Sequence, residues 1–301
     1  MSRRIIVALA ATALGVLACL PLRVWADESF CAQPSQTRIP SRPASALTGS
    51  EIAARLEGIG DDAREEVIRG ELLAGNIPQF LRRLRPVELT SDAPGVETAH
   101  ITACVMPDYL AVGSDEDYLL VPMRLGTALS VAARFGFTLP TPALVDAIYA
   151  QSAVHLAPQP LPASAAMRSI GYFRTHDALV RAQRLEVEAV PGELISGHMK
   201  DLVLTQRLRT NLERVAIYGW HALDGRPIQP LSTVHGWHYV DYSHGVRLVS
   251  TRILVNDTPR ELLQAMQDAL LAPILSYEGA ISEVSDLVAQ LSRPHSQPAA
   301  R

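Results

Sequence analysis

The sequence predicts an α+β fold, with N-terminal helices packed on or beside a mainly antiparallel sheet formed largely by the C-terminal third. Two observations carry this expectation. Helical spacing with capping signals dominates before residue 190, whereas from Gly197 to Val255 apolar residues come in short runs rich in β-branched and aromatic side chains. Helices first and strands later, without βα alternation, is the pattern of segregated elements.

Residues 1–26 read as a secretory signal. Arg3 and Arg4 precede an apolar run from Ile5 to Leu20, and Val24-Trp25-Ala26 supplies small residues before a cleavage point. The run is short for a bilayer span of about 20 residues and polar sequence follows at once, so the mature chain is expected without a transmembrane span, in the periplasm or secreted. Cys19, after Val16-Leu17-Ala18, loosely resembles a lipoprotein cleavage box, with Leu17 a poor fit; cleavage there would leave a lipid anchor instead.

Residues 27–48 are rich in Pro, Ser and Gln and read as an extended linker or wrapped arm. If Cys19 leaves with the signal, Cys31 and Cys104 remain, and in an oxidising compartment two such thiols are expected to pair. The alternative is a disordered Cys31 and a merely buried Cys104. Residues 49–292 are expected to form a single α+β domain, and 293–301 a polar tail.

Thr48 and Glu51 have the spacing of a capping box ahead of a helix carrying Ile52, Leu56 and Ile59, and a second helix is expected from Asp61 to Ala74 before Gly75. His100–Met106 and Tyr118–Val121 read as strands of a hairpin or meander, with Asp115-Glu116-Asp117 as a solvated turn rather than a cation loop, since no calcium-loop spacing is present. Helices follow at Arg124–Phe135, ended by Gly136, and at Pro142–Gln151, capped by Thr141. Pro158, Pro160 and Pro162 impose an extended crossing. A helix over Asp177–Glu188 capped by Thr175 comes next, then strands at Leu202–Thr205, Val215–Tyr218, Tyr239–Tyr242 and Val246–Val255, and a last amphipathic helix near Pro259 capped by Thr258.

Apolar residues make up 48% of the chain, charged ones 19%, and the formal net charge is −4, with Lys and Arg scattered. This excludes a disordered protein and argues against tracking a nucleic-acid backbone.

The chemistry is expected in the region 197–255. Five of the nine histidines, His198, His221, His235, His238 and His244, fall there with Asp201, Asp224, Asp241, Arg247 and two of the three tryptophans. Three chemistries suit such a set. His198, Asp201 and His221 could hold a divalent metal, zinc being favoured by imidazole and carboxylate ligands. Without a metal, His244 and His238 with Asp241 would serve as acid or base, and Arg247 would bind an anionic substrate group. In the third, Trp220, Trp237, Tyr239 and Tyr242 would line a groove that only binds a glycan or peptide. Ser243 lacks a Gly-x-Ser-x-Gly elbow and reads as a structural hydroxyl. The expectation is an exported hydrolase of a cell-envelope or extracellular polymer, peptidoglycan or polysaccharide; the alternative is a non-catalytic envelope protein binding a glycan or peptide.

Two resemblances accompany this reading. Ser243-His-Gly-Val-Arg-Leu248, with His235-Gly236 upstream, is similar to the signature of L,D-transpeptidases, exported enzymes that cross-link peptidoglycan. In that family a nucleophilic Cys follows the Gly directly, where this chain has Val246, so the thiol chemistry is not implied. Gly197-His-Met-Lys-Asp201, Tyr218-Gly-Trp-His221, Pro227-Ile-Gln-Pro-Leu231 and Asp241-Tyr-Ser-His-Gly-Val-Arg247 resemble an exported bacterial family, which implies one coherent domain and supplies no substrate.

Overall fold

The computed structural model describes residues 27–91 and 99–293. The expected signal at 1–26, with Cys19, and the tail after Arg293 lie outside the described residues. The chain has the expected α+β character, and apolar side chains from Phe30 to Leu291 join one buried core.

The arm at 27–48 wraps onto the fold. Residues 27–31 are helical, Cys31 is bonded to Cys104, and Arg42 ties the arm down through Asn76 Oδ1 (2.9 Å) and the Gly113 carbonyl (3.0 Å). The bridge spans 73 positions, for which loop-closure entropy predicts about 4 kcal/mol of stabilisation. Reduction should lower the urea midpoint accordingly; an unchanged midpoint would show that the bridge is not formed.

Helix α1 (Gly49–Leu56) begins at the expected capping box, and α2 (Asp61–Leu73) follows. Strands β1 (Arg85–Thr90) and β2 (His100–Val105) pair antiparallel, while β3 (Ala111–Gly113) and β4 (Tyr118–Leu120) form a hairpin. Its acidic turn is more than solvated. Asp115 accepts from the Gln79 and Phe80 amides, and Asp117 from the Ser50 amide at the start of α1, so the turn docks on neighbouring backbone donors.

Helix α3 (Leu125–Phe135) ends at Gly136, whose φ of +86° suits glycine, and β5 (Phe137–Thr138) continues from it. Helix α4 (Pro142–Gln151) is capped by Thr141 as expected, and β6 (Val154–His155) follows. The next helix corrects the sequence reading: α5 runs over Ile170–Glu186 and is capped by Ser169, whose hydroxyl accepts from the Tyr172 amide. Thr175, expected as the cap, lies inside it and donates back to the Gly171 carbonyl.

The C-terminal strands are β7 (Ile195–Ser196), β8 (Lys200–Leu202), β9 (Ile217–His221), β10 (Pro227–Ser232), β11 (His244–Gly245), β12 (Val249–Val255) and β13 (Thr258–Glu261). Strands β1-β2-β12-β13 form the larger sheet, antiparallel throughout, with β5 beside β12. The smaller sheet has the order β10-β9-β8-β11, with β11 parallel to β8. The expected strands at 202–205 and 215–218 are thus displaced, and the helix expected at Pro259 is a strand that leads into the short helix α6 (Leu262–Ala265). Helices α7 (Ala272–Leu275) and α8 (Val284–Leu291) complete the described chain.

Residues 239–242 are not a strand. The Asp241 carboxylate captures the Ser243 amide at 2.8 Å and the Ser243 hydroxyl at 2.5 Å, and the His244 amide bonds back to the Asp241 carbonyl. A side chain that satisfies backbone donors two residues on makes a turn, and here it overrides the alternation of apolar and polar residues. The turn brings Asp241 and His244 together instead of placing them on opposite faces.

Candidate functional site

The five histidines occupy four settings. The first centres on β8 and the start of β11. Gly245 lies against Tyr109 and Met199 so closely that a Cβ would come within 2.6 Å of the Tyr109 ring, and this contact seats β11 beside β8.

Directly before it, Asp241 gathers a polar cluster. Its Oδ1 holds Ser243, its Oδ2 accepts from the Tyr239 hydroxyl at 3.0 Å, and His244 Nε2 stands 3.8 Å from Oδ2. His244 and Ser243 are fully buried and Asp241 is nearly so; Lys200, His235 and Tyr239 are half-buried. His235 stacks on Tyr239 with ring centroids 3.9 Å apart, and the Lys200 ammonium lies 4.6 Å over the Trp220 ring. Burial takes the His244 imidazole down to about 4 against the pull of Asp241. Burial raises the Asp241 carboxyl, but His244, Ser243 and Lys200 outweigh it and hold the group below its ordinary value. The pair at neutral pH is therefore carboxylate and neutral imidazole. Among the described residues neither ring nitrogen of His244 has a hydrogen-bond partner.

A second network lies in the core. Asp108 meets Arg184 at 2.5 Å and His198 Nε2 at 3.3 Å. Burial acts to raise the Asp108 carboxyl, yet Arg184 and His198 hold it well below the usual carboxylate range. Tyr109 donates to Asp201 at 2.8 Å, and burial lifts Asp201 to about 6. Arg247 lies 4.4 Å over the Tyr109 ring and donates to the Met106 and Ile195 carbonyls at 2.8 and 2.5 Å. It is fully buried. The expectation that Arg247 orients a substrate is thereby corrected: it is a strut between β2, β7 and the residues after β11.

His221 belongs to a third setting. Its Nε2 is 2.8 Å from Asp146 Oδ1, and the same carboxylate accepts from the Tyr218 and Tyr277 hydroxyls. The expected metal trio has its printed contacts directed separately, His198 Nε2 to Asp108, Asp201 to Tyr109 and His221 Nε2 to Asp146. Among the described residues no group of three or more His, Cys, Asp or Glu is disposed to hold a metal ion.

The fourth setting is a cavity of about 490 Å³ beside α2, α3 and α8, on whose wall stand Trp237 and His238, with ring centroids 3.3 Å apart. His238 is thus placed with this cavity rather than with Asp241. The expected aromatic groove is divided: Trp237 and Tyr239 are half-buried, whereas Trp220 donates to the His198 carbonyl from the interior and the buried Tyr242 hydroxyl holds the Leu161 amide at 2.7 Å. Asp108, Asp146, Arg184 and Lys200 were missed by sequence reasoning. Only Lys200, inside the Gly197–Asp201 string, carried a signal.

These burials have a consequence for stability. Burial also lowers His176, to about 3. A histidine whose folded pKa is depressed takes up its proton first in the unfolded chain, so its stabilising effect is complete above pH 6.5 and is lost as the pH falls toward 4. Asp201 acts oppositely, because a raised carboxyl favours the folded state below about pH 4 and loses that advantage as the pH rises through 6. The two histidines are displaced by more than the one carboxyl, so these groups together should make the fold less stable at pH 4.5 than at pH 7. Urea titrations at the two pH values check this; equal stability would contradict the burial of neutral imidazoles.

Among the described residues no helix is long and apolar enough to cross a membrane. No protein-family model, curated protein or solved structure matches the chain, so the reading of its function rests on the residues themselves.

Proposed function

We propose that the chain is an exported hydrolase of a cell-envelope or extracellular polymer, with Asp241 and His244 as its acid–base pair and Lys200, His235 and Tyr239 on the approach to them. The observation that carries this reading is the neutral, fully buried His244 imidazole, with no hydrogen-bond partner among the described residues, 3.8 Å from a carboxylate held in place by Ser243 and Tyr239. A buried polar group without a partner costs about 1–3 kcal/mol, and such costs are retained where chemistry needs them.

Because His244 is fully buried, the proposed reaction requires the half-buried His235–Tyr239 stack to move aside and admit substrate and water; His244 then takes a proton from a water as its oxygen bonds to the scissile carbon. Asp241 stabilises the imidazolium that forms, and the same proton then passes to the leaving group as the bond breaks. Lys200 supplies positive charge for the oxygen on which negative charge develops. Export rests on the basic-then-apolar start of the sequence.

Incubation of the mature protein with peptidoglycan and a panel of polysaccharides, followed by mass spectrometry of released fragments, tests the reading. Release of defined fragments by a preparation free of zinc is expected. No release across the panel would favour a non-catalytic binding protein, and activity that requires stoichiometric zinc would move the chemistry away from the Asp241–His244 pair.

A further inference from the structure

Several of the charges that line the cavity beside Trp237 are paired with one another. Arg124 is paired with Asp62 at 2.6 Å, and Arg69 with Glu66 at 2.9 Å. Glu65, almost fully buried, accepts the Arg124 amide at 2.7 Å and so is spent on the start of α3; burial raises its carboxyl. Arg214 differs. Its Nη1 donates to the Val234 carbonyl at 2.6 Å, and among the described residues no carboxylate lies within ion-pair distance of it. A backbone bridge between Arg214 and Gly236 joins the segments that carry Arg214 and Trp237, and both residues line the cavity; Arg214 also lines the neighbouring groove that contains Val234. Leu125, Leu212 and Leu291 complete the apolar part of the lining.

From this arrangement we infer that the cavity is a binding site for a monoanionic carboxylate carried on a ring-bearing or apolar body, with Arg214 taking the carboxylate and Trp237 the body. One planar guanidinium with donors to spare matches one carboxylate in a two-point contact. The exposed carboxylates of Asp62 and Glu66 on the same wall disfavour ligands of higher negative charge. The volume is that of pockets that enclose small organic molecules. The site does not depend on the hydrolase reading, since the cavity would take such a ligand in a non-catalytic protein as well.

Calorimetric titration of the full mature chain with N-acetyl-phenylalanine, N-acetyl-phenylalaninamide and inorganic phosphate tests the assignment. The acid should bind saturably at one site, with the amide and phosphate each at least about tenfold weaker. Arg214→Gln should weaken the acid by a similar factor and leave the amide unchanged, and Trp237→Leu should weaken both. Equal binding of acid and amide, tighter binding of phosphate, or no saturable binding of the acid would overturn it. Should Arg214→Gln fail to fold, the comparison of acid with amide on the unaltered protein decides the matter alone, and Arg214→Lys, which keeps the charge but not the planar fork, should fall between the two.

Discussion

Replacement of Arg247 by methionine is expected to destabilise the fold by about 3–5 kcal/mol, the size of loss typical when one member of a buried charged network is removed. Three effects combine. The Met106 and Ile195 carbonyls lose their donor in a place water does not reach, the Tyr109 ring loses the cation over its face, and the buried Asp108 and Asp201 lose a neighbouring positive charge. A domain's whole stability is about 5–15 kcal/mol, so much of the variant should be insoluble or partly unfolded at 37 °C. Arg247→Lys should recover only part of the loss, because a compact ammonium cannot span two carbonyls as the fork does. Urea unfolding of the variants measures this; a loss below about 1 kcal/mol for the methionine variant would return Arg247 to the list of substrate-facing residues.

His244→Leu should have the opposite signature. Removing an imidazole that has no hydrogen-bond partner relieves a desolvation cost, so stability should be unchanged or higher by about 1 kcal/mol, while polymer hydrolysis should fall by about 10²–10⁴-fold with the loss of the proton acceptor. Asp241→Asn should lose activity on the same scale but also some stability, since the amide cannot match the carboxylate as acceptor for Ser243 and Tyr239. Measuring fragment release and urea midpoints on the same preparations separates a catalytic loss from a folding loss. A His244→Leu protein that is destabilised yet fully active would assign His244 to packing.

The sequence was most legible where a signal is local. The Thr48/Glu51 box, the Thr141-Pro142 start and the Gly136 stop each depend on neighbouring residues, and each is found in the structure. The failures share a cause in competition or distance. At 239–242 alternation suggested a strand, but Asp241 satisfied the Ser243 amide through its own side chain and made a turn. The cluster of histidines was correctly seen as polar and aromatic, yet their partners, Asp108 for His198 and Asp146 for His221, come from segments about 90 and 75 positions away that no local pattern connects to them. The same blindness made Arg247 look like a ligand for substrate, since nothing in Gly245-Val246-Arg247 foretells that two distant carbonyls will enclose it.

The most direct measurement is the titration of the His244 ring by NMR, with the signal assigned from the His244→Leu variant. A neutral imidazole enclosed beside Asp241 should stay unprotonated from pH 8 down to about 5 and titrate only around pH 4. A midpoint near 6.5 would mean that His244 meets water as an ordinary surface histidine does, and the buried acid–base pair would not exist.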